Sequence, residues 1–144
     1  LSGPVHTLRP QAEGAGLAFV VDVSEDLPLV RADRQQIGRV VTNLIANAVR
    51  HTPPGGRVSL TARETDGGVR IEVRDTGEGI PEAYLAKIFG RFVQVPGATG
   101  GGAGLGLSIA QNIVRAHGSE LVVESTVGTG SAFSFTLESA ARAA

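Results

Sequence analysis

The sequence predicts an α/β two-layer sandwich: a mixed, mainly antiparallel sheet of about five strands, covered on one face by about three helices. Segments with apolar residues at helical spacing alternate along the chain with shorter segments in which apolar and polar residues alternate. The resulting order is strand, helix, hairpin, helix, hairpin. We expect one domain over residues 1–138, followed by a frayed tail over residues 139–144.

The strongest helix signal lies over residues 33–51. Asp33 and Gln36 form a D-x-x-Q capping box, in which each side chain can satisfy a free donor of the first turn. Apolar residues then recur at a spacing of three and four, which predicts one continuous apolar face. Because the residue before a proline resists the α region, Pro53 is expected to end this helix.

Shorter patterns predict the remaining elements. Pro10 interrupts a weak first helix, and a Thr-Asp-Gly-Gly turn at residues 65–68 joins two strands into a hairpin. Gly118 provides a C-terminal cap for the last helix, where His117 lies in a position that favours a cation. In chain order these elements are a helix over 5–15, a strand over 17–23, strands over 58–62 and 69–73, a short helix over 81–88, a helix over 105–117, and strands over 120–124 and 131–137.

Composition limits the functions available to the chain. Its 144 residues carry a formal net charge of −1, so no basic excess indicates binding to nucleic acid or to an anionic membrane. The absence of cysteine excludes disulfides and thiolate zinc sites. No apolar segment approaches the roughly 18 residues that a membrane-spanning helix needs. Because the chain begins at Leu1 without a methionine, we expect it to be part of a longer protein.

Residues 99–108, TGGGAGLGLS, lead directly into a predicted helix. They do not match the P-loop, which requires a lysine, or the dinucleotide fingerprint, which requires glycine where Leu107 stands. Glycines nevertheless let a backbone approach an anion closely, and the free N–H groups of a helix N-terminus attract phosphate. A flexible linker is the alternative, but the direct passage into an apolar helix favours phosphate binding.

Asn43, Asn47 and Arg50 lie at i, i+4 and i+7 of the predicted helix and form a polar stripe beside its apolar face. A carboxamide oxygen is a hard, neutral ligand that suits Mg²⁺ already surrounded by phosphates and waters. A solvated helix face explains the same spacing equally well. The stripe therefore leaves both interpretations open.

The segment DTGEG at residues 75–79 closes a predicted strand and opens a loop. Aspartate and glycine are common in turns, which is one interpretation. In the other, the Asp75 carboxylate accepts a hydrogen bond from an exocyclic amine, while Gly77 and Gly79 let a flat ring lie against the backbone.

Five motifs occur together along the chain, and their combination is far more specific than any one of them. In order they are NLIANAVRHTP (43–53), DTGEGIP (75–81), IFGRF (88–92), GGAGLGLS (101–108) and GTGSAF (128–133). The set resembles the N, G1, F, G2 and G3 boxes of the catalytic, ATP-binding domain of sensor histidine kinases. This domain has the Bergerat ATP-binding fold, which it shares with the type II topoisomerases. The resemblance covers about residues 22–137.

On the adenine side, the resemblance implies a role for each matching position. Asp75 would bind the adenine amino group, and Ser131 would add a hydroxyl near the adenine. The pocket itself would be shaped by Gly77, Gly79 and Ile80.

On the phosphate side, Asn47 would coordinate Mg²⁺ with the help of Asn43. Arg50 would contact phosphate, His51 would lie against the nucleotide, and Arg91 would reach toward the γ-phosphate. Backbone donors to the phosphates would come from Gly102, Gly104, Leu105, Gly106 and Leu107.

Residues 88–104 would form a mobile lid that closes over ATP and becomes ordered with it. Two positions depart from the family pattern: Gly90 stands where the F box usually has glutamate, and Ala103 where the G2 box usually has threonine. Both departures bear on the order of the lid.

Asn43 bears on the type of reaction. The hydrolytic relatives carry at this position a glutamate that activates water, and a carboxamide cannot act as a base. The resemblance therefore implies transfer of the γ-phosphoryl group to a histidine on the dimerisation domain of the parent sensor, for relay to an aspartate of a response regulator. Two alternatives stay open: an anti-sigma-type serine kinase of the same fold, and a degenerate, non-catalytic nucleotide-binding module.

The phosphoacceptor is expected to lie outside this chain. VHTLRP at residues 5–10 contains His6 but lacks the acid after histidine and the threonine before proline that the family's acceptor motif carries. We therefore expect an ordinary helix there, and a fragment that does not phosphorylate itself. The resemblance further implies a monomeric cytoplasmic domain within a homodimeric inner-membrane sensor.

Overall fold

The computed structural model describes residues 2–24, 27, 30, 32–85, 87–88 and 106–138. Its elements are α1 (Ser2–Gly14), β1 (Ala18–Val23), α2 (Arg34–His51), β2 (Arg57–Thr65), β3 (Gly68–Asp75), α3 (Glu82–Leu85), α4 (Gly106–Ala116), β4 (Val122–Thr126) and β5 (Gly130–Glu138). The strands form one sheet in the order β1-β2-β3-β5-β4, in which only the β1–β2 pair is parallel. The predicted two-layer α/β class is confirmed.

The core lies between helix α2 and one face of the sheet. The apolar stripe of α2 is buried, and so are the inward positions of the central strands, as alternation predicts. On the strand side the buried apolar residues are Val58, Leu60, Ala62, Val69, Ile71, Val73, Phe133, Phe135 and Leu137. Each large side chain buried in this way contributes about 1.5–3 kcal/mol.

Helix α1 continues through Pro10, so the predicted interruption is wrong. Leu8 and Ala12, on either side of the proline, are both buried. The Arg9 guanidinium lies 5.0 Å from the centre of the Phe19 ring and donates a hydrogen bond of 3.1 Å to the Phe19 carbonyl. These contacts with β1 hold the helix together despite the lost backbone hydrogen bond, because tertiary packing outweighs local propensity.

The N-terminus of α2 is capped by two groups. Asp33 Oδ1 accepts hydrogen bonds from the backbone N–H groups of Gln35 and Gln36, at 3.0 and 3.1 Å. The backbone N–H of Asp33 donates to His117 Nε2 at 3.0 Å, a bond that the capping box had assigned to the Gln36 side chain. His117 Nδ1 lies 2.8 Å from the Ile113 carbonyl, so this nitrogen donates to that oxygen while Nε2 accepts from Asp33.

The beginning of β4 also differs from the prediction. The buried carboxamide of Gln111 binds both backbone groups of Leu121: its Oε1 accepts from the N–H at 3.0 Å, and its Nε2 donates to the carbonyl at 3.2 Å. Strand pairing therefore starts at Val122, two residues later than predicted. Gly118 does cap α4, with a positive φ of 76°.

Two predicted segments are mostly beyond the described part of the chain. Of the lid at residues 88–104, only Ile88 is described, and it is buried. The tail at residues 139–144 lies outside the described residues. Among the residues that are described, no helix has both the length and the apolar character needed to cross a bilayer.

Candidate functional site

One row of side chains across the sheet turns polar where the neighbouring rows are apolar. The strand register places Val58, Asp75, Ser131 and Ser125 side by side on β2, β3, β5 and β4. The row is on the helix-facing side of the sheet. Residues two apart in a strand face the same side, and Ser131 stands two residues before Phe133, which belongs to the buried core. Asp75 and Ser131 are each only 6% exposed. The apolar core thus ends in a buried carboxylate beside a buried hydroxyl.

The Asp75 carboxylate is held by backbone donors. Its Oδ1 accepts a hydrogen bond from the Gly77 N–H at 2.8 Å, and the Ser131 N–H donates to the same carboxylate. Burial raises the pKa of Asp75 above its ordinary value of 3.8, although these two hydrogen bonds and nearby His51 act in the opposite direction. Such a buried carboxylate, fixed in place, retains lone pairs that can accept a hydrogen bond from an amine.

The loop after Asp75 is packed against the C-terminus of α2. His51 Nδ1 lies 3.1 Å from Glu78 Oε1, and the backbone N–H of Glu78 donates to the His51 carbonyl at 3.4 Å. A side chain at Gly77 would overlap that same carbonyl oxygen. Glycine is therefore required at Gly77 for the close approach of the helix, whether or not a flat ring also lies there.

The other side of the loop is packed against the β4–β5 hairpin. A Cβ atom at Gly79 would overlap the Thr126 carbonyl oxygen. The Ile80 N–H donates to Ser125 Oγ at 2.7 Å, and the Ile80 side chain packs against the core. The loop is thus fixed between α2 and the hairpin, next to Asp75.

The polar stripe of α2 continues from this loop toward α4. Asn43 and Asn47 are half-buried and Arg50 is exposed. Asn43 Nδ2 donates a hydrogen bond of 3.3 Å to the carbonyl of Gly106, the first residue of α4. The Asn47 carboxamide has no hydrogen-bond partner among the residues that the structure describes. Its oxygen is therefore available to a ligand.

Helix α4 brings two further predicted residues to the site. Gly106 lies beside Asn43, and the Leu107 side chain packs against the core. The first N–H groups of a helix have no acceptor within the helix, so they can bind an anion. Four predicted contacts lie outside the described residues: Arg91, Gly102, Gly104 and Leu105.

The structure also reveals two polar residues that sequence reasoning missed. Glu78 Oε1 lies within hydrogen-bond distance of His51 Nδ1, and Ser125 binds both Ile80 and the neighbouring Ser131. The sequence does indicate the position of Ser125. Side chains alternate between the two faces of a strand, so Ser125 faces the same side of the sheet as Val123. It was overlooked because the predicted strand ended one residue earlier. Glu78 has no such signal, since an acid in a glycine-rich loop is an ordinary turn residue.

Comparison with known proteins identifies the family. The model of the histidine kinase-, DNA gyrase B- and HSP90-like ATPases matches residues 32–141. The sensor protein DivL of Caulobacter vibrioides is 43% identical over 122 residues, which cover 85% of this chain and 16% of DivL. The alginate biosynthesis sensor protein KinB of Pseudomonas aeruginosa is 42% identical over 124 residues, which cover 86% of this chain and 21% of KinB.

Solved structures give the same result. The mycobacterial sensor histidine kinase MprB is similar with a TM-score of 0.84 and 30% identity, over 96% of this chain and 92% of that one. Full-length ShkA in complex with AMPPNP has a TM-score of 0.85 and 35% identity, over 96% and 29%. The histidine kinase ThkA in complex with the response regulator protein TrrA has a TM-score of 0.80 and 26% identity, over 98% and 40%.

The chain therefore belongs to the histidine kinase-, DNA gyrase B- and HSP90-like ATPase family, and its fold is that of the catalytic domains of sensor histidine kinases. The expected family is confirmed. The chain spans only 16% and 21% of the two sensor proteins named above.

Proposed function

We propose that this chain binds Mg·ATP and transfers its γ-phosphoryl group to a histidine on the dimerisation domain of a parent sensor kinase, for relay to an aspartate of a response regulator. The observation that carries the proposal is the buried Asp75 carboxylate, followed by a loop that packs against the C-terminal end of α2, the helix that carries Asn43 and Asn47. The AMPPNP complex of ShkA supports the nucleotide, and the complex of ThkA with TrrA supports the kind of partner.

The adenine would bind at the polar row of the sheet. Asp75 would accept a hydrogen bond from the 6-amino group, and Ser131, its register partner, would add a second polar contact. Gly77, Gly79 and Ile80 would form the wall of the pocket, because their loop is already fixed by α2 and the β4–β5 hairpin. His51, paired with Glu78, would lie against the nucleotide.

The phosphates would lie between α2 and α4. Asn47 and Asn43 would hold Mg²⁺, which fits these residues, since Asn47 has no partner among the described residues and the bond to Gly106 uses only the nitrogen of Asn43. The bound metal would neutralise charge on the phosphates during transfer. Arg50 would contact phosphate as an exposed cation near the end of α2. Further donors would be the backbone N–H groups of Gly106 and Leu107, together with Arg91, Gly102, Gly104 and Leu105, which lie outside the described residues.

Transfer is favoured over hydrolysis by the residue at position 43. The Asn43 carboxamide cannot take a proton from water, and its Nδ2 is already bonded to the Gly106 carbonyl. In-line phosphoryl transfer depends mainly on positioning and charge neutralisation, which this arrangement can provide without a base. The acceptor histidine, the dimeric parent at the inner membrane and the closing of the lid at residues 88–104 belong to the same proposal.

The proposal is tested with γ-labelled ATP and Mg²⁺. The chain is incubated alone and with a separately produced dimerisation domain of a sensor kinase, and with the His6→Ala variant as a control. We expect acid-labile, base-stable label on the dimerisation domain and none on this chain. Label on this chain that is lost with His6→Ala would contradict an external acceptor, and acid-stable label would indicate a serine kinase.

A further inference from the structure

Ser125 sits at the centre of a small hydrogen-bond network beside the proposed adenine site. Its Oγ accepts from the Ile80 N–H at 2.7 Å and lies 3.0 Å from the Gly130 carbonyl oxygen. The same Oγ lies 2.8 Å from Ser131 Oγ. Three polar atoms, one from the loop after Asp75 and two from the start of β5, therefore converge on one hydroxyl group.

The direction of each hydrogen bond follows from counting hydrogens. A serine hydroxyl has one hydrogen to donate and two lone pairs. The Ile80 N–H takes one lone pair of Ser125, and the Gly130 carbonyl can only accept, so the Ser125 hydrogen goes to Gly130. The contact between the two hydroxyl groups is then a hydrogen bond only if Ser131 donates to Ser125. The reverse direction would leave the Gly130 carbonyl without this donor, so it satisfies one contact fewer.

This arrangement fixes what Ser131 can offer to a ligand. Its hydrogen is directed at Ser125, so only lone pairs of its Oγ remain toward neighbouring groups. Ser131 is the register partner of Asp75, whose carboxylate also offers only lone pairs. Two acceptors therefore lie side by side in the buried polar row.

Two adjacent acceptors match one kind of purine. The 6-amino group of adenine carries two hydrogens, whereas the 6-oxo group of hypoxanthine or guanine carries lone pairs that two acceptors repel. We propose that Ser125 is a positioning residue for base selection: by holding the Ser131 hydroxyl as an acceptor beside Asp75, it favours 6-aminopurine nucleotides over 6-oxopurine nucleotides. This inference rests on the proposed function, because it concerns the same nucleotide site.

The experiment compares ATP with inosine triphosphate, which lacks the 6-amino group and carries a 6-oxo group instead. Dissociation constants for both nucleotides are measured with Mg²⁺ for the 144-residue chain and for Ser125→Ala. In the variant the Ser131 hydroxyl can turn and donate to the 6-oxo group. We expect the preference for ATP to fall by roughly fivefold, the effect of about one hydrogen bond.

Matched variants separate this role from a purely structural one. Ser125→Thr and Ser125→Val have nearly the same shape and both suit a strand, but only threonine keeps the hydroxyl, so only threonine should retain the preference. Ser119 is a control, since its Oγ accepts from the Thr136 N–H at 3.3 Å outside the polar row, and Ser119→Ala should leave the preference unchanged. In a Ser131→Ala background, Ser125→Ala should change the preference no further.

The outcomes separate the role of Ser125 from ATP binding itself. Equal weakening of both nucleotides in Ser125→Ala, or equal preferences in the Thr and Val variants, would overturn the role of Ser125 while leaving ATP binding intact. No measurable ATP binding by the unchanged chain would overturn the proposed function itself. Circular dichroism spectra establish that each variant is folded, and the Thr and Val pair remains decisive if Ser125→Ala does not fold.

Discussion

Among the described residues, Asp75 is the one acidic side chain that is buried. It stands in a row of the sheet where Val58, its neighbour on β2, belongs to the apolar core. Burying a carboxylate is unfavourable unless hydrogen bonds compensate, and here the Gly77 and Ser131 N–H groups do so only in part, because the pKa remains raised. A buried carboxylate whose ionised form is unfavourable in the folded protein is typical of a functional site.

The raised pKa of Asp75 predicts a pH dependence of stability. An aspartate with a raised pKa binds more protons in the folded than in the unfolded state between its ordinary and its raised value. The contribution of Asp75 to the free energy of unfolding should therefore decrease as pH rises from 3.8 through the raised pKa, and stay constant above it. Asp75→Asn removes this titration, so the variant should gain stability relative to the unchanged chain over that range.

Urea unfolding at a series of pH values measures this difference. Asp66→Asn is the matched control, because Asp66 lies exposed in the β2–β3 turn and should show no such relative gain. If the unchanged chain instead gained stability relative to Asp75→Asn as pH rose, the hydrogen bonds would outweigh burial and the assigned direction of the pKa would be wrong.

The effect of substituting Asn47 on ATP affinity should depend on Mg²⁺. If the Asn47 carboxamide oxygen holds Mg²⁺, Asn47→Ala should weaken ATP binding in the presence of Mg²⁺ by roughly tenfold, about 1.4 kcal/mol. In the presence of a chelator the variant and the unchanged chain should bind ATP alike. Isothermal titration calorimetry under both conditions measures this, with Asn112→Ala, an exposed asparagine of α4, as the control.

The same loss with and without Mg²⁺ would contradict a metal ligand at Asn47. It would indicate instead that the carboxamide contacts the nucleotide directly or supports the end of α2.

At the level of elements, helix α4 is joined to α2 at both of its own ends. The Asp33 N–H donates to His117 Nε2 just beyond the C-terminus of α4, and Asn43 Nδ2, in the middle of α2, donates to the carbonyl of Gly106, the first residue of α4. The two helices therefore run antiparallel, and α2 positions the residue from which α4 begins. These bonds are between residues 84 and 63 positions apart in sequence.

This pairing predicts which side chain caps α2. His117→Ala removes the acceptor of the Asp33 N–H and should lower the free energy of unfolding by about 1 kcal/mol, the usual value of a helix cap. Gln36→Ala should have a much smaller effect, since the structure assigns that bond to His117 and not to Gln36. Urea unfolding of both variants at neutral pH compares them. A larger loss of stability for Gln36→Ala than for His117→Ala would indicate that the Gln36 side chain accepts the Asp33 N–H, and would contradict the cap formed by His117.

Some elements of the fold follow from local sequence patterns, and others depend on contacts between distant residues. Periodicity predicted α2 and the inward faces of β2, β3 and β5, because the buried set follows directly from local spacing. The late start of β4 and the continuity of α1 depend on the Gln111 carboxamide and on Arg9 packing against Phe19. Those contacts join segments 10 residues apart or more, so no local pattern contains them.

For the molecule as a whole, the candidate site lies at one end of the sheet, where four segments meet. The end of α2, the loop after Asp75, the β4–β5 hairpin and the start of α4 are connected by the hydrogen bonds described above. Ordered motifs predicted Asp75, Ser131 and the stripe of α2, because each motif supplies a residue type that nucleotide binding requires. The network of Ser125 and the pair of His51 with Glu78 emerge only from the strand register and the loop packing.

Asp75 is proposed to form the adenine site of an ATP-binding domain. The most direct measurement is a calorimetric titration of the unchanged chain, Asp75→Ala and the control Asp66→Ala with ATP and Mg²⁺. We expect Asp75→Ala to weaken binding by roughly tenfold or more, at least about 1.4 kcal/mol, and Asp66→Ala to bind like the unchanged chain. Equal affinity of Asp75→Ala and the unchanged chain for ATP would contradict it.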